Sequence, residues 1–237
     1  MYGTPKAFYG TVEQQGRLTL HLHIMLWIAG GLSPQDVRDR LLNKDGVFQK
    51  SLFAYMESAH QGEFSTGTLE EPVDSSAKQV PHTSNAHYVD PTMTLPAPPP
   101  APLCDNPSSC EETCPNCLSH LSWWETTKKV IDDIVLRSNV HTCSTHENPK
   151  AGKGCLDKDG ICKARFPREL VPKTTFDEAD GRIKLKKLEA VINSYTPLLT
   201  YLLRCNSDVT CMMSGTTMKA VILYVTDYIT KVNLKSH

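Results

Sequence analysis

Two histidines two positions apart, His21 and His23, occupy the segment LTLHLHIML. On an extended strand successive side chains alternate, so Leu18, Leu20, Leu22 and Ile24 face one way while Thr19, His21, His23 and Met25 face the other. The Cα atoms of alternate residues lie about 7 Å apart, close enough for both rings to converge on one ion. A third ligand can come from the preceding strand, FYGTVEQ. If Val12 shares the apolar face with Leu20, the connection has an odd number of residues and Glu13 lies beside Thr19 and His21; an even connection presents Gln14 instead. The odd connection keeps the apolar face continuous, and a carboxylate suits a hard cation such as Mg²⁺ or Mn²⁺.

A second constellation lies in AVILYVTDYITK. On a helix, residues three and four apart share a face, so Tyr224, Tyr228 and Lys231 project together. The β-branched content argues for a strand, but the Ser214/Thr216 start and the length favour a helix. A free phenol ionises near pH 10, so it attacks at neutral pH only beside a cation or a base.

Cysteine forms the third group. The chain has nine cysteines, an odd number, which suits reduced thiols or metal ligands better than a disulfide frame. Cys114-Pro-Asn-Cys117 has knuckle spacing, with Cys104 and Cys110 nearby to complete four sulfur ligands. His141, Cys143, His146, Cys155 and Cys162 offer a second set, and structural Zn²⁺ fits the ligand types of both. Residues 139–168 lack apolar periodicity, so a metal is the obvious agent to hold them.

These residues need elements to position them. Residues 8–28 read as a β-hairpin turning around Gly16. Ser33-Pro34-Gln35-Asp36 supplies an N-cap, a first-turn proline and an acidic first turn, and a second helix is expected over 48–60. From Gly62 to Leu103 the sequence turns to Ser, Thr, Pro and Gly and ends in LPAPPPAPL, which predicts an irregular, poorly packed insertion with polyproline II character. LSWWETTKKVIDDIVLRS repeats its apolar residues at helical spacing. GRIKLKKL alternates as a strand, Asp208 to Met213 suggests another, and a helix is expected from Thr216 to about Lys231.

At 237 residues the chain can bury a substantial core. Its formal net charge of −1 weighs against a domain that coats nucleic acid non-specifically. Basic residues do cluster at Lys163, Arg165 and Arg168 and at Arg182, Lys184, Lys186 and Lys187, a pattern that a solvated face also produces. No apolar run reaches membrane-spanning length, and MYGTPKAFYG lacks a secretory signal, so an intracellular protein with no membrane partner is expected.

Taken together, the segment FYGTVEQQGRLTLHLHIMLWI resembles the metal-binding strand of the HUH endonucleases, most closely the Rep-like domain of Helitron transposases. YVTDYITK resembles the two-tyrosine motif of that family. HTC…GC…GICKARFPRE is similar to its Cys-rich block and LLRCNSDV to its RxNxD element, in the family's order, and the Pro-rich, Cys-containing insert looks like the fungal elements. The resemblance implies an α+β fold with a central antiparallel sheet and flanking helices. The tyrosine helix would pack beside the histidine face. The Rep-like domain would divide into 1–61 and 119–237 around an insertion at 62–118. It further implies nicking and strand transfer of single-stranded DNA, with His21, His23 and Glu13 as metal ligands and Tyr224 and Tyr228 as nucleophiles. Lys231 would supply charge to the phenol or contact the phosphate. A nuclear location and a downstream helicase domain in the full-length protein belong to the same expectation, under which this chain is a fragment.

Overall fold

The computed structural model describes residues 2–14, 20–67, 88–101, 104, 110, 113–143, 154–179, 181–212, 219–223 and 226, with backbone alone at 13 and 14. Strands β1 (Pro5–Gln14) and β2 (Leu20–Ile28) precede helices α1 (Pro34–Leu42) and α2 (Gly46–Ala59). A 3-10 turn at Pro91–Met93 leads to helix α3 (Pro115–Ser138), then β3 (Thr175–Asp177), β4 (Arg182–Lys184) and helix α4 (Pro197–Leu203). The elements form an α+β chain. Among the described residues, however, the expected central sheet is replaced by two separate two-stranded antiparallel sheets, β1-β2 and β3-β4.

The chain divides into two compact units. The first comprises Met1–Met56, Phe176–Ile183 and Thr210–His237, and the second Glu57–Thr175 and Lys184–Val209.

In the first unit the hairpin pairs Val12 with Leu22, Thr11 with His23 and Glu13 with His21. Its two faces differ, as the alternation predicts. Phe8, Val12, Leu20, Leu22 and Ile24, the apolar face, are exposed, whereas Met25 on the histidine face is buried. Helix α1 begins where Ser33 closes a capping box: its Oγ accepts from the Asp36 amide at 3.1 Å, and the Asp36 carboxylate accepts from the Ser33 amide at 3.3 Å. The Ser33 hydroxyl, which donates to the Asp36 carboxylate at 2.6 Å, and then the Ser33 amide lower the Asp36 carboxyl from its usual value. The helix buries Val37 and Leu41. Ser33→Ala should cost about 1 kcal/mol in urea unfolding monitored by circular dichroism. An unchanged midpoint would mean that this cap contributes nothing.

The second unit is organised around α3, whose Ile131 and Val135 form a core with Phe64, Ile192, Tyr195 and Tyr201. Phe64 belongs to the segment expected to stay outside the core, and its placement corrects that expectation. The cause is hydrogen bonding to a residue distant in sequence. Asp132, only 2 % exposed, accepts from the amides of Ser65 and Thr66 and from the Thr66 hydroxyl, each at 2.7 Å. Burial raises its carboxyl above the usual value despite these partners. The two amides pin the turn that delivers Phe64. Further along the same segment Tyr88 donates to Asp133 at 2.5 Å, Arg137 pairs with Asp90, and Pro91 is buried.

Other expectations are corrected in detail. Residues 208–212 are irregular rather than a strand, and the strand in GRIKLKKL spans only three residues. In the basic stretch around it, Lys186 forms an ion pair with Glu63 at 2.6 Å and Lys187 donates to the Ile192 carbonyl at 2.7 Å. Both side chains therefore serve the fold rather than forming part of a free cationic face. Burial lowers the Lys187 ammonium from its usual value.

Candidate metal centres

The hairpin brings His21 and His23 together as two half-buried rings, centroids 4.5 Å apart in an edge-on arrangement. Residue 13 is the direct cross-strand partner of His21, and such partners share a face of an antiparallel ladder. Five residues, 15–19, separate the paired positions 14 and 20, an odd connection. The Glu13 side chain lies outside the described residues, as do Tyr224, Tyr228 and Lys231. Helical backbone is described at 219–223, immediately before the first tyrosine.

Cysteine provides the more completely formed sites. The ligand atoms of Cys104, Cys110, Cys114 and Cys117 all lie within 4.8 Å of one another, and so do those of His141, Cys143, Cys155 and Cys162. His146, the other imidazole proposed for the second set, lies outside the described residues. In the first set the Cys104 sulfur is 3.6 Å from both Cys114 and Cys117. In the second, Nε2 of His141 is 3.5 Å from the Cys143 sulfur and 3.3 Å from that of Cys162. All these cysteines are free thiols, and a disulfide would need sulfurs about 2.05 Å apart. A tetrahedral ion with bonds of about 2.3 Å to sulfur and 2.0 Å to nitrogen separates its ligands by about 3.8 Å and 3.5 Å respectively. Both groups fit a zinc-like cation of that size.

Local structure explains each convergence. Cys114 is the N-cap of α3 with Pro115 directly after it, so Cys117 follows in the first turn on the same side. The amides of Cys117 and Asn116, at the positive end of the helix, together with the Cys104 thiol, bring the Cys114 thiol down to about 7. Sharing its proton with the Cys117, Cys114 and Cys110 sulfurs pushes the Cys104 thiol up to about 12. Cys117 is raised as well, so Cys114 ionises ahead of both Cys104 and Cys117.

The second set is built from the far end of the same helix. After α3, His141 is fixed by its amide donating to the Val191 carbonyl at 2.7 Å. Cys155 and Cys162 face each other across a tight turn, in which Lys163 N–H donates to the Cys155 carbonyl and the Asp157 carboxylate accepts from the amides of Asp159 and Ile161. Beyond it, amides of Phe166 and Ala164 hold the Cys162 thiol below its usual value, and burial raises Cys143 to about 11. The Phe166 ring stacks on His141 at 4.2 Å and carries the Arg168 guanidinium 4.4 Å above it. Sequence reasoning missed this stack. An aromatic residue four positions past the last cysteine was the available signal. The 24-residue helix α3 thus carries one metal-competent cluster at each end.

Compared with protein-family models, with curated proteins and with solved structures, the chain matches none. No helix among the described residues is long and apolar enough to cross a membrane.

Proposed function

We propose that this chain is a metal-dependent, tyrosine-mediated enzyme that nicks and transfers single-stranded DNA, similar to the Rep-like domains of Helitron transposases. The observation that carries the reading is the hairpin register, which pairs residue 13 with His21 while the rings of His21 and His23 meet on one face. His21, His23 and Glu13 would hold Mg²⁺ or Mn²⁺, which when bound polarises a phosphoryl oxygen. Tyr224 or Tyr228 supplies the nucleophile: its phenolic oxygen bonds to phosphorus, the bond from phosphorus to the 3′-oxygen breaks, and the phenolic proton passes to the leaving oxygen. The products are a 5′-phosphotyrosine and a free 3′-OH. Lys231 favours the phenolate. A second tyrosine lets one DNA end stay attached while another is attacked, which is strand transfer rather than nicking alone. In this reading the enzyme is nuclear and works with a helicase domain.

Incubation with labelled single-stranded DNA and Mn²⁺, followed by a denaturing gel, should reveal a covalent adduct. The double variant Tyr224→Phe, Tyr228→Phe should lose the adduct completely while still binding DNA. Wild-type protein that binds DNA without ever forming an adduct would remove the catalytic reading.

A second reading has its own observation, the two cysteine clusters. In that reading Zn²⁺ on Cys104, Cys110, Cys114 and Cys117 and on His141, Cys143, Cys155 and Cys162 stabilises a nucleic-acid-binding module that cuts nothing. DNA binding without an adduct is the result that selects it.

A further inference from the structure

The segment Leu95–Pro100, LPAPPP, lies in the second unit without helix or strand, and the fixed φ of its four prolines favours polyproline II. Proline has no amide proton, so this stretch presents mainly carbonyl acceptors and makes no hydrogen bonds within itself. What it meets is a set of donors. The Ala97 carbonyl accepts from Nε1 of Trp123 at 3.3 Å and from the Tyr201 hydroxyl at 2.8 Å, and the Leu95 carbonyl accepts from the Arg204 guanidinium at 3.4 Å. Trp123 and Tyr201 stand edge to face at 6.0 Å, and Arg204 lies over the Tyr201 ring at 4.5 Å. An indole and a phenol that together donate to a carbonyl of a proline-rich strand are the chemistry by which aromatic grooves bind polyproline II peptides.

The segment is tethered at both ends. Upstream, Tyr88 and Asp90 bond to Asp133 and Arg137 near the end of α3. Downstream, Cys104 sits among Cys110, Cys114 and Cys117 at the start of the same helix. A metal there would bind the segment's end to the helix whose Trp123 it covers.

We propose that Trp123, Tyr201 and Arg204 form a polyproline-binding groove occupied by the chain's own residues 95–100, and that a metal on the four-cysteine cluster is the clasp that keeps it occupied. Opening the clasp frees the groove for a proline-rich peptide from another molecule. The proposal is independent of the strand-cutting reading. It rests on the first cluster taking zinc, which metal analysis measures separately.

The test uses the full chain loaded with zinc and a fluorescein-labelled peptide of sequence LPAPPPAPL. Wild-type protein should carry two zinc ions, resist proteolysis between residues 88 and 104, and leave the peptide anisotropy unchanged. The variant Cys104→Ser, Cys110→Ser should keep one zinc ion, become cleavable in that segment and bind the peptide. Trp123→Phe in that background should weaken binding about tenfold, and a peptide with glycine in place of proline should not bind. Tyr201→Phe with all cysteines intact provides a check free of metal loss and should increase cleavage. Unchanged cleavage in the cysteine variant would overturn the clasp. A released segment with no peptide binding would overturn the groove, as would equal binding by wild-type protein. One zinc ion in wild-type protein, lost only through substitutions in the second cluster, would refute the metal on which the clasp depends.

Discussion

Stripping metal with a strong zinc chelator should unfold the second unit and release two zinc ions per chain, with helical circular dichroism falling as a chromogenic indicator reports the metal. The size of the effect follows from the thermodynamics. Structural zinc in small cysteine-histidine sites binds with roughly 10–16 kcal/mol, comparable with the 5–15 kcal/mol total stability of an ordinary domain. Here the polypeptide around the second cluster has no periodic apolar face of its own, so a metal there would carry its folding, whereas a metal on the first would fasten Cys104 and Cys110 to a helix whose Ile131 and Val135 are already packed in the core. Acid should act in the same direction. Metal binding needs deprotonated sulfurs, and the metal-free Cys104 and Cys143 hold their protons up to about 12 and about 11. Metal-linked stability should therefore be present at neutral pH and disappear as falling pH returns protons to the thiolates. Unchanged helicity and no zinc in solution after chelation would show that the clusters are reduced thiols without a structural ion.

Phe64→Ala should destabilise the second unit by about 3–5 kcal/mol, the cost of deleting a buried aromatic ring and leaving part of its cavity. The ring is 3 % exposed within the core formed with Ile131, Val135 and Tyr195. Leu95→Ala is the matched control from the same low-complexity stretch: its side chain is 90 % exposed, so its replacement should change stability by no more than about 0.5 kcal/mol. Urea unfolding of both variants with metal bound gives the comparison. Equal midpoints for the two would show that residues 62–67 are not part of the core.

The contrast between Phe64 and Leu95 shows what a linear reading can and cannot reach. Signals carried by neighbours in sequence were legible. Ser33 and Asp36 satisfy each other within one turn, and the alternation of the two strands fixes which residues share a face. The apolar spacing of 121–138 marks most of α3, which begins six residues earlier because Cys114 and Pro115 form its start. Signals that depend on a distant partner were not legible. Phe64 is buried because Asp132 accepts from the amides of Ser65 and Thr66, more than sixty residues away in the chain. The short α4, PLLTYLL, carries too few turns to reveal a period and takes its place from Tyr201 and Thr200, both buried in the second unit. Cysteine spacing named the metal-competent sets, but only the fold brings Cys155 and Cys162 back to His141 at the other end of a loop. At the hairpin, alternation placed the imidazoles together but could not tell that the leucine face would be left open.

That open face bears on how firmly the histidines are held. A two-stranded ribbon is at best marginally stable in water, and each Å² of apolar surface left in solvent forgoes about 25 cal/mol of burial free energy. With Phe8, Leu20, Leu22 and Ile24 exposed, the strands carrying His21 and His23 gain little from packing on that side. Their backbone amides therefore belong to the low-energy end of local opening, exchanging with solvent through fluctuations that leave the Ile134 and Val135 region closed. An ion bridging the two strands would act as a cross-brace, so that ligand binding and hairpin rigidity become one equilibrium. The affinity of such a site then includes the free energy of ordering the ribbon, and anything that covers the leucine face tightens the grip on the opposite side.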